Sequence, residues 1–385
     1  MMQQNISFSQ QSRILDKLRF PLACMVVVIH CKINQGGWVL PQWSNFTYSD
    51  LSVVIQILFS TILSGIAVPM FYLMSGYFFF YKIDVFDSNV YRAKLKKRIS
   101  TLLVPYLLWN LLFILKIVVF KVAAYLVKGK PLSNIVDYFN ENGWLRMFWD
   151  CNIWSLDRIN ILGWSIPPTG PILIPMWFIR DLMVVVLITP IIYILIRKFK
   201  LWTVFVLGIC YVTGIWPYLH GFSITALFFF SVGAYFSINK QNMVNELRKY
   251  MRPALFSYIP FTILMVYLNG NHTLVGGFIY PFYIIVGVVA FISLLTLLEE
   301  KGKLSNSNSL SETTFFIYAF HGLIGITIAD MILDIPFPVA DNYYINVIMH
   351  YLLMPILTIG ICLITFHIMM KYCPCLLNVL TGKRV

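Results

Sequence analysis

Two histidines and a few cations are the residues of this chain whose types and spacing could do chemistry. Arg19 precedes His30 by eleven residues, about three turns at ~3.6 residues per turn, so both fall on one helix face ~16 Å apart. Asp16, three residues before Arg19, can pair with it on that face. A neutral imidazole can take a proton from a hydroxyl or attack a carbonyl itself. An anion held at Arg19 could therefore present the far end of a long flexible molecule to His30. An acyl thioester of coenzyme A has that shape, with phosphates at one end and the reactive carbonyl at the other. The competing reading of His30 is a histidine satisfied within a helix-packed core.

Three other groups carry chemistry of the same kind. His321 ends the run Ser311-Glu312-Thr313-Thr314-Phe315-Phe316-Ile317-Tyr318-Ala319-Phe320-His321, and Tyr318 shares its face. A helix entering from the Ser311 end puts His321 ~12 Å deep, close to the depth of His30. The pair could polarise a reactant or simply stitch two helices together. Trp177-Phe178-Ile179-Arg180-Asp181 opens another apolar run. Arg180 and Asp181 are neighbours that share a face poorly, so each is expected to find a separate partner, with snorkelling to the membrane surface as the alternative for Arg180. The segment Tyr91-Arg92-Ala93-Lys94-Leu95-Lys96-Lys97-Arg98 is strongly basic. Lys94, Lys97 and Arg98 could attract the donor's phosphates, or serve as a topology signal and contact for anionic lipid.

The elements that must position these groups are helices in a bilayer. Of 385 residues, 59% are hydrophobic and only 12% charged, with a mean hydropathy of +0.77, whereas a soluble domain carries about 25% charged residues. An ordinary soluble enzyme is excluded. Ten apolar runs follow one another: Phe20 to Ile33, Leu51 to Tyr81, Ile99 to Val127, Pro175 to Ile196, Leu201 to Pro217, Phe222 to Ile238, Pro253 to Leu268, Leu274 to Leu298, Thr313 to Leu333 and Tyr343 to Met370. They predict an all-α integral membrane protein of about ten transmembrane helices. No small-residue cleavage site follows the first run, so it reads as a retained span rather than a secretory signal.

The net charge of +13 reflects basic residues gathered in alternate loops, which puts both termini in the cytoplasm and leaves nucleic acid without a role. The expected organisation is a polar tail over residues 1–12, a membrane domain over 13–372 and a cytoplasmic tail over 373–385. The longest connection on the opposite side, 128–174, holds Trp144, Trp149, Trp154 and Trp164. Those rings suit either the membrane interface or stacking on sugar rings. Gly65, Pro69 and Gly76 loosen the second run, and Ser75-Gly76-Tyr77 lets another helix approach closely. Seven cysteines suggest no disulfide framework, and Cys373-Pro-Cys375 is not spaced as a zinc site; no metal is expected.

Taken in order along the chain, these motifs resemble the membrane-bound acyltransferase family 3, which includes O-antigen acetylases. The resemblance rests on Asp16-Lys17-Leu18-Arg19 with Arg19-x10-His30; Phe71-Tyr72-Leu73-Met74-Ser75-Gly76-Tyr77; Lys97-Arg98 followed by Pro105-Tyr106; Trp177-Phe178; Phe230-x2-Gly233; and Ser311 through Tyr318 to His321. It implies transfer of an acyl group, most often acetyl, from cytoplasmic acyl-CoA as co-substrate to a hydroxyl of a cell-surface or lipid-linked glycan. His30 would be the catalytic histidine, as base or acyl carrier, with Arg19 as its partner and His321 and Tyr318 assisting. Arg19, Lys94, Lys97 and Arg98 would face the donor, and Trp177, Arg180 and Asp181 the acceptor. The implied location is the inner membrane of a bacterium. A transporter or flippase of a glycan or small polar substrate is the alternative, since it too uses buried His and Arg.

Overall fold

In a computed structural model the described residues are 6–33, 40–129, 137, 139–140, 143–151, 159–161, 164–166, 170–217, 219–303, 309–340 and 343–384. Trp154 and the linker residues 305–308 lie outside them. The fold is a helical bundle: α1 (Phe8–His30), α2 (Tyr48–Phe80), α3 (Ser88–Val127), α4 (Trp177–Leu187), α5 (Thr189–Phe199), α6 (Leu201–Thr213), α7 (Ile224–Ile238), α8 (Met243–Tyr267), α9 (Leu274–Glu300), α10 (Leu310–Leu333), α11 (Tyr344–Tyr372) and α12 (Pro374–Leu380). Every one of the ten apolar runs is helical over most of its length. Among the described residues five helices, α2, α3, α9, α10 and α11, are long and apolar enough to cross a membrane, six if the bent pair from Ile174 to Phe199 counts as one span. The remainder fall short for visible reasons. α1 carries Arg13, Asp16, Lys17 and Arg19, and α6 and α7 have 13 and 15 residues against the ~20 that a straight span requires.

The expected helical class holds, with one short exception: Ile159–Ile161 and Trp164–Ile166 pair as an antiparallel hairpin within the long connection. Helix α1 starts within the polar first dozen residues, at a capping box. Gln10 donates its backbone N–H to Ser7 Oγ while its side chain accepts from the Ser7 N–H at 2.8 Å. From residue 373 onward the chain is packed against the bundle: Pro374 starts α12. Leu377 and Leu380 of that helix are buried, and Trp109 Nε1 donates to Leu380 O at 2.9 Å.

The tightest crossing joins α2 to α7. A Cβ added at Gly76 would lie 1.9 Å from Phe230 O, and one at Gly233 would lie 1.9 Å from Leu73 O. Each backbone thus rests directly on the other, the small-residue packing expected of helices in lipid, where close approach replaces a hydrophobic drive. On the outside, Leu115 and Val119 of α3, Phe256 and Ile259 of α8 and Ile364 of α11 are exposed. Such an apolar belt suits lipid rather than water.

Three π-turns interrupt the helices, at Ile57–Leu63, Ile99–Leu103 and His321–Gly325. Each inserts an extra residue per turn and re-aims the side chains beside it. All three border the site described next.

Candidate active site

His30 is the last residue of α1, and the polar residues of α2 around the first π-turn hold that end in place. Ser60 Oγ donates to Val28 O at 2.7 Å, the Ile33 N–H donates to Gln56 Oε1 at 2.9 Å, and Lys32 Nζ donates to Thr61 Oγ1 at 3.2 Å. Opposite stands His321, fully buried and the first residue of its π-turn. The two imidazoles face each other with ring centroids 5.3 Å apart. His321 Nδ1 lies 2.9 Å from Ile317 O; because a carbonyl only accepts, Nδ1 carries the hydrogen and Nε2 is left as a lone pair. That Nε2 is buried and has no partner among the described residues. The π-turn carbonyl that follows is satisfied by Lys116 of α3, whose Nζ donates to Leu323 O at 2.6 Å.

One turn before His321, the Tyr318 hydroxyl donates to Pro175 O. Its ring lies on the wall of a cavity of about 180 Å³ that also takes in Arg19, Ser75, Arg98, Thr314 and Arg384. Arg19 pairs with Asp16 at 3.0 Å, as its spacing predicts, and rests 5.3 Å from the Phe78 ring. Arg98 reaches the same cavity from the end of the basic segment. Arg384 enters from beyond α12, donating to Thr381 O at 2.6 Å and Thr101 O at 3.0 Å. Its guanidinium lies 4.1 Å over Phe315, and burial, with repulsion from Arg98 and Arg19 adding, pushes its pKa down to about 9. Three cations thus share the cavity wall with Tyr318, and one turn after Tyr318 stands His321, facing His30.

A family profile described as an acyltransferase domain matches residues 13–367. The chain belongs to the acyltransferase-3 family. It is also similar to succinoglycan biosynthesis protein ExoH of Rhizobium meliloti (strain 1021), at 25% identity over 391 aligned positions covering 96% of this chain and 92% of that protein. No solved structure matches it. The chain is thus a multi-pass membrane acyltransferase.

Within this acyltransferase, the structure brings some expected residues together and separates others. Arg19, Arg98 and Tyr318 share the cavity, and His30 meets His321. Lys94 sits 5.6 Å from the Phe79 ring and Lys97 is exposed; neither is on the cavity wall. Arg180 and Asp181 correct an expectation, because they pair with each other: Arg180 Nε donates to Asp181 Oδ1 at 2.9 Å. The long arginine side chain reaches round the ~100° between neighbours on a helix. Nor does Arg180 snorkel, being only 5% exposed. It also donates to Trp149 O at 2.6 Å, and Tyr106 donates to Phe148 O. These bonds fasten the start of the 146–151 segment onto α4 and α3. Trp177, half-buried, stands one turn before Asp181.

Residues missed from the sequence are Arg384, Lys116 and Asn110. Lys116 was legible as one of two lysines, with Lys121, inside an apolar run. Buried Asn110, whose Oδ1 accepts from the Leu173 N–H at 3.2 Å, carried a similar signal. Arg384 carried none, since its neighbourhood reads as an ordinary basic segment.

Proposed function

We propose that this acyltransferase moves an acyl group, acetyl being the simplest, from cytoplasmic acyl-CoA to a hydroxyl of a cell-surface or lipid-linked glycan. One observation carries the reading: the arginine-lined cavity reaches Tyr318, and the next turn sets His321 against His30. A relative that takes part in succinoglycan biosynthesis supports a polysaccharide acceptor. The basic loops support ten crossings, both termini in the cytoplasm and the inner membrane of a bacterium as the location.

In the direct route, neutral His30 takes the proton of the acceptor hydroxyl as its oxygen attacks the thioester carbonyl. The carbon–sulfur bond then breaks, and the thiolate of coenzyme A recovers a proton from the imidazolium. In the two-step route, His30 attacks the carbonyl and expels the thiolate of coenzyme A, which takes the proton the ring sheds; the acceptor hydroxyl then attacks the acyl-imidazole, forming the ester and returning its proton to the freed imidazole. His321 Nε2 can accept a hydrogen bond from the His30 ring, selecting its tautomer and turning its lone pair to the reactant. Arg19 and Arg98 hold the donor's phosphates, toward which Lys94 and Lys97 draw it from the surface. Trp177, Arg180 and Asp181 shape the acceptor side by fixing the segment that covers it.

The test is the ester-linked acyl content of surface glycan in cells carrying the wild-type chain, His30→Ala, or no chain, at equal membrane levels. Loss of one ester in the last two alone is expected. Unchanged esters with surface glycan itself missing would overturn the reading in favour of transport.

A further inference from the structure

Arg384 is built into its position rather than draped on the surface. After α12, Gly382 adopts φ +67°, and a Cβ there would lie 2.7 Å from Thr101 O, so the chain runs backbone against backbone over the π-turn of α3. The Lys383 N–H closes the turn on Asn378 O at 2.8 Å. With Trp109 bonded to Leu380 O, the segment is fixed at both ends and its guanidinium is directed inward.

The cavity it enters is unbalanced in charge. Its wall carries Arg19, Arg98 and Arg384 and no carboxylate among the described residues; Asp16, bonded to Arg19, is the acid beside it. Gathering like charges in a partly buried space is costly unless an anion joins them. Thr314 Oγ1, on the same wall, is buried and has no hydrogen-bond partner. A cavity wall that carries a threonine and three arginines suits the oxygens of a phosphate or diphosphate, which arginine binds in a bidentate fashion.

We propose that Arg384, with Arg19, Arg98 and Thr314, forms a phosphate-binding site that grips the phosphate-bearing end of the acyl donor, so that the segment following α12 is part of the donor pocket. This assignment rests on acyl-CoA as the donor. The shared chemistry is phosphate, which an anionic lipid headgroup could also supply, and the experiment separates the two.

Full-length wild-type, Arg384→Ala and Arg384→Lys proteins are placed in nanodiscs of neutral phosphatidylcholine, and binding of coenzyme A, of pantetheine and of inorganic pyrophosphate is measured. Loss of Arg384 is expected to weaken coenzyme A about tenfold or more, as one charge-assisted contact would, with the lysine variant between and pantetheine unaffected. In turnover the loss appears in the KM for the donor rather than in kcat. Trp109→Phe, which frees Leu380 O, should shift coenzyme A in the same direction even if Arg384→Ala folds poorly. Equal coenzyme A affinity in wild type and a folded Arg384→Ala overturns the proposal. So does an Arg384-dependent rise in thermal stability with phosphatidylglycerol but none with coenzyme A, which assigns the site to lipid. If the wild type ignores coenzyme A yet binds pyrophosphate through Arg384, the donor reading fails while the phosphate site stands.

Discussion

His30 at the end of α1 and His321 at the start of a π-turn face each other with ring centroids 5.3 Å apart and planes tilted by 39°. The Nδ1–H of His321 is already committed to Ile317 O, so the two rings differ in role: one is held, the other is available. Removing His30 should cost the chemistry itself, a fall of about 10²–10⁴ in single-turnover rate. His321→Ala, which loses only orientation, should cost about 10–100-fold, as a positioning contact does. Equal losses in membranes at matched protein levels would mean that the histidines share the proton transfer.

The π-turn at His321–Gly325 predicts sensitivity to length rather than to composition. Deleting Leu323 removes the extra residue that the wide turn absorbs, restoring a regular helix whose two halves keep their phase while the side chains of the turn itself, His321 among them, are re-aimed. Helix content by circular dichroism should stay close to wild type while acyl transfer disappears. Lys116→Met leaves the length intact but strips Leu323 O of its donor; a loss of about 1.5–3 kcal/mol in thermal or denaturant stability is expected for that charged bond.

Gly76→Ala and Gly233→Ala should each prevent accumulation of folded protein, because the new methyl meets a backbone carbonyl with no room to move. Gly360→Ala in α11 is the internal control. Nothing lies within 4 Å of its added Cβ, and alanine favours a helix by ~1 kcal/mol over glycine. Yield and melting temperature in detergent separate the three.

For the buried pair, Arg180→Met or Asp181→Leu alone should destabilise by about 3–5 kcal/mol, since each strands a charge, while the double variant should recover much of that loss. A double-mutant cycle on unfolding measures it. If the double variant folds but has lost turnover, the pair also serves the reaction by holding the Trp149 segment.

Much of this architecture was legible in the chain. Apolar run length located the helices, the eleven-residue interval put Arg19 and His30 on one of them, and Gly76 announced a close crossing. What stayed hidden depends on which helices meet. Nothing local to Ser311–His321 indicates that it packs against α1, because both runs are uniformly apolar around their histidines. Arg180 and Asp181 misled because face geometry was judged at Cα, whereas a side chain of arginine's length closes on its neighbour. Arg384 looks in sequence like any solvated basic residue; its placement comes from a turn that only tertiary contact with Thr101 selects.

The crossing of α2 and α7 at Gly76 and Gly233 also gives the arginine-lined cavity one fixed wall. Phe71, Met74, Ser75 and Phe78 belong to α2, which cannot slide along α7 without atoms overlapping. Ser311, Thr314, Phe315 and Tyr318 belong to α10, and Arg384 to the segment after α12, which is seated in turn by Gly382 against the backbone of Thr101. On the function proposed above, a bulky donor would be admitted and released against α2 as the immovable side of its doorway.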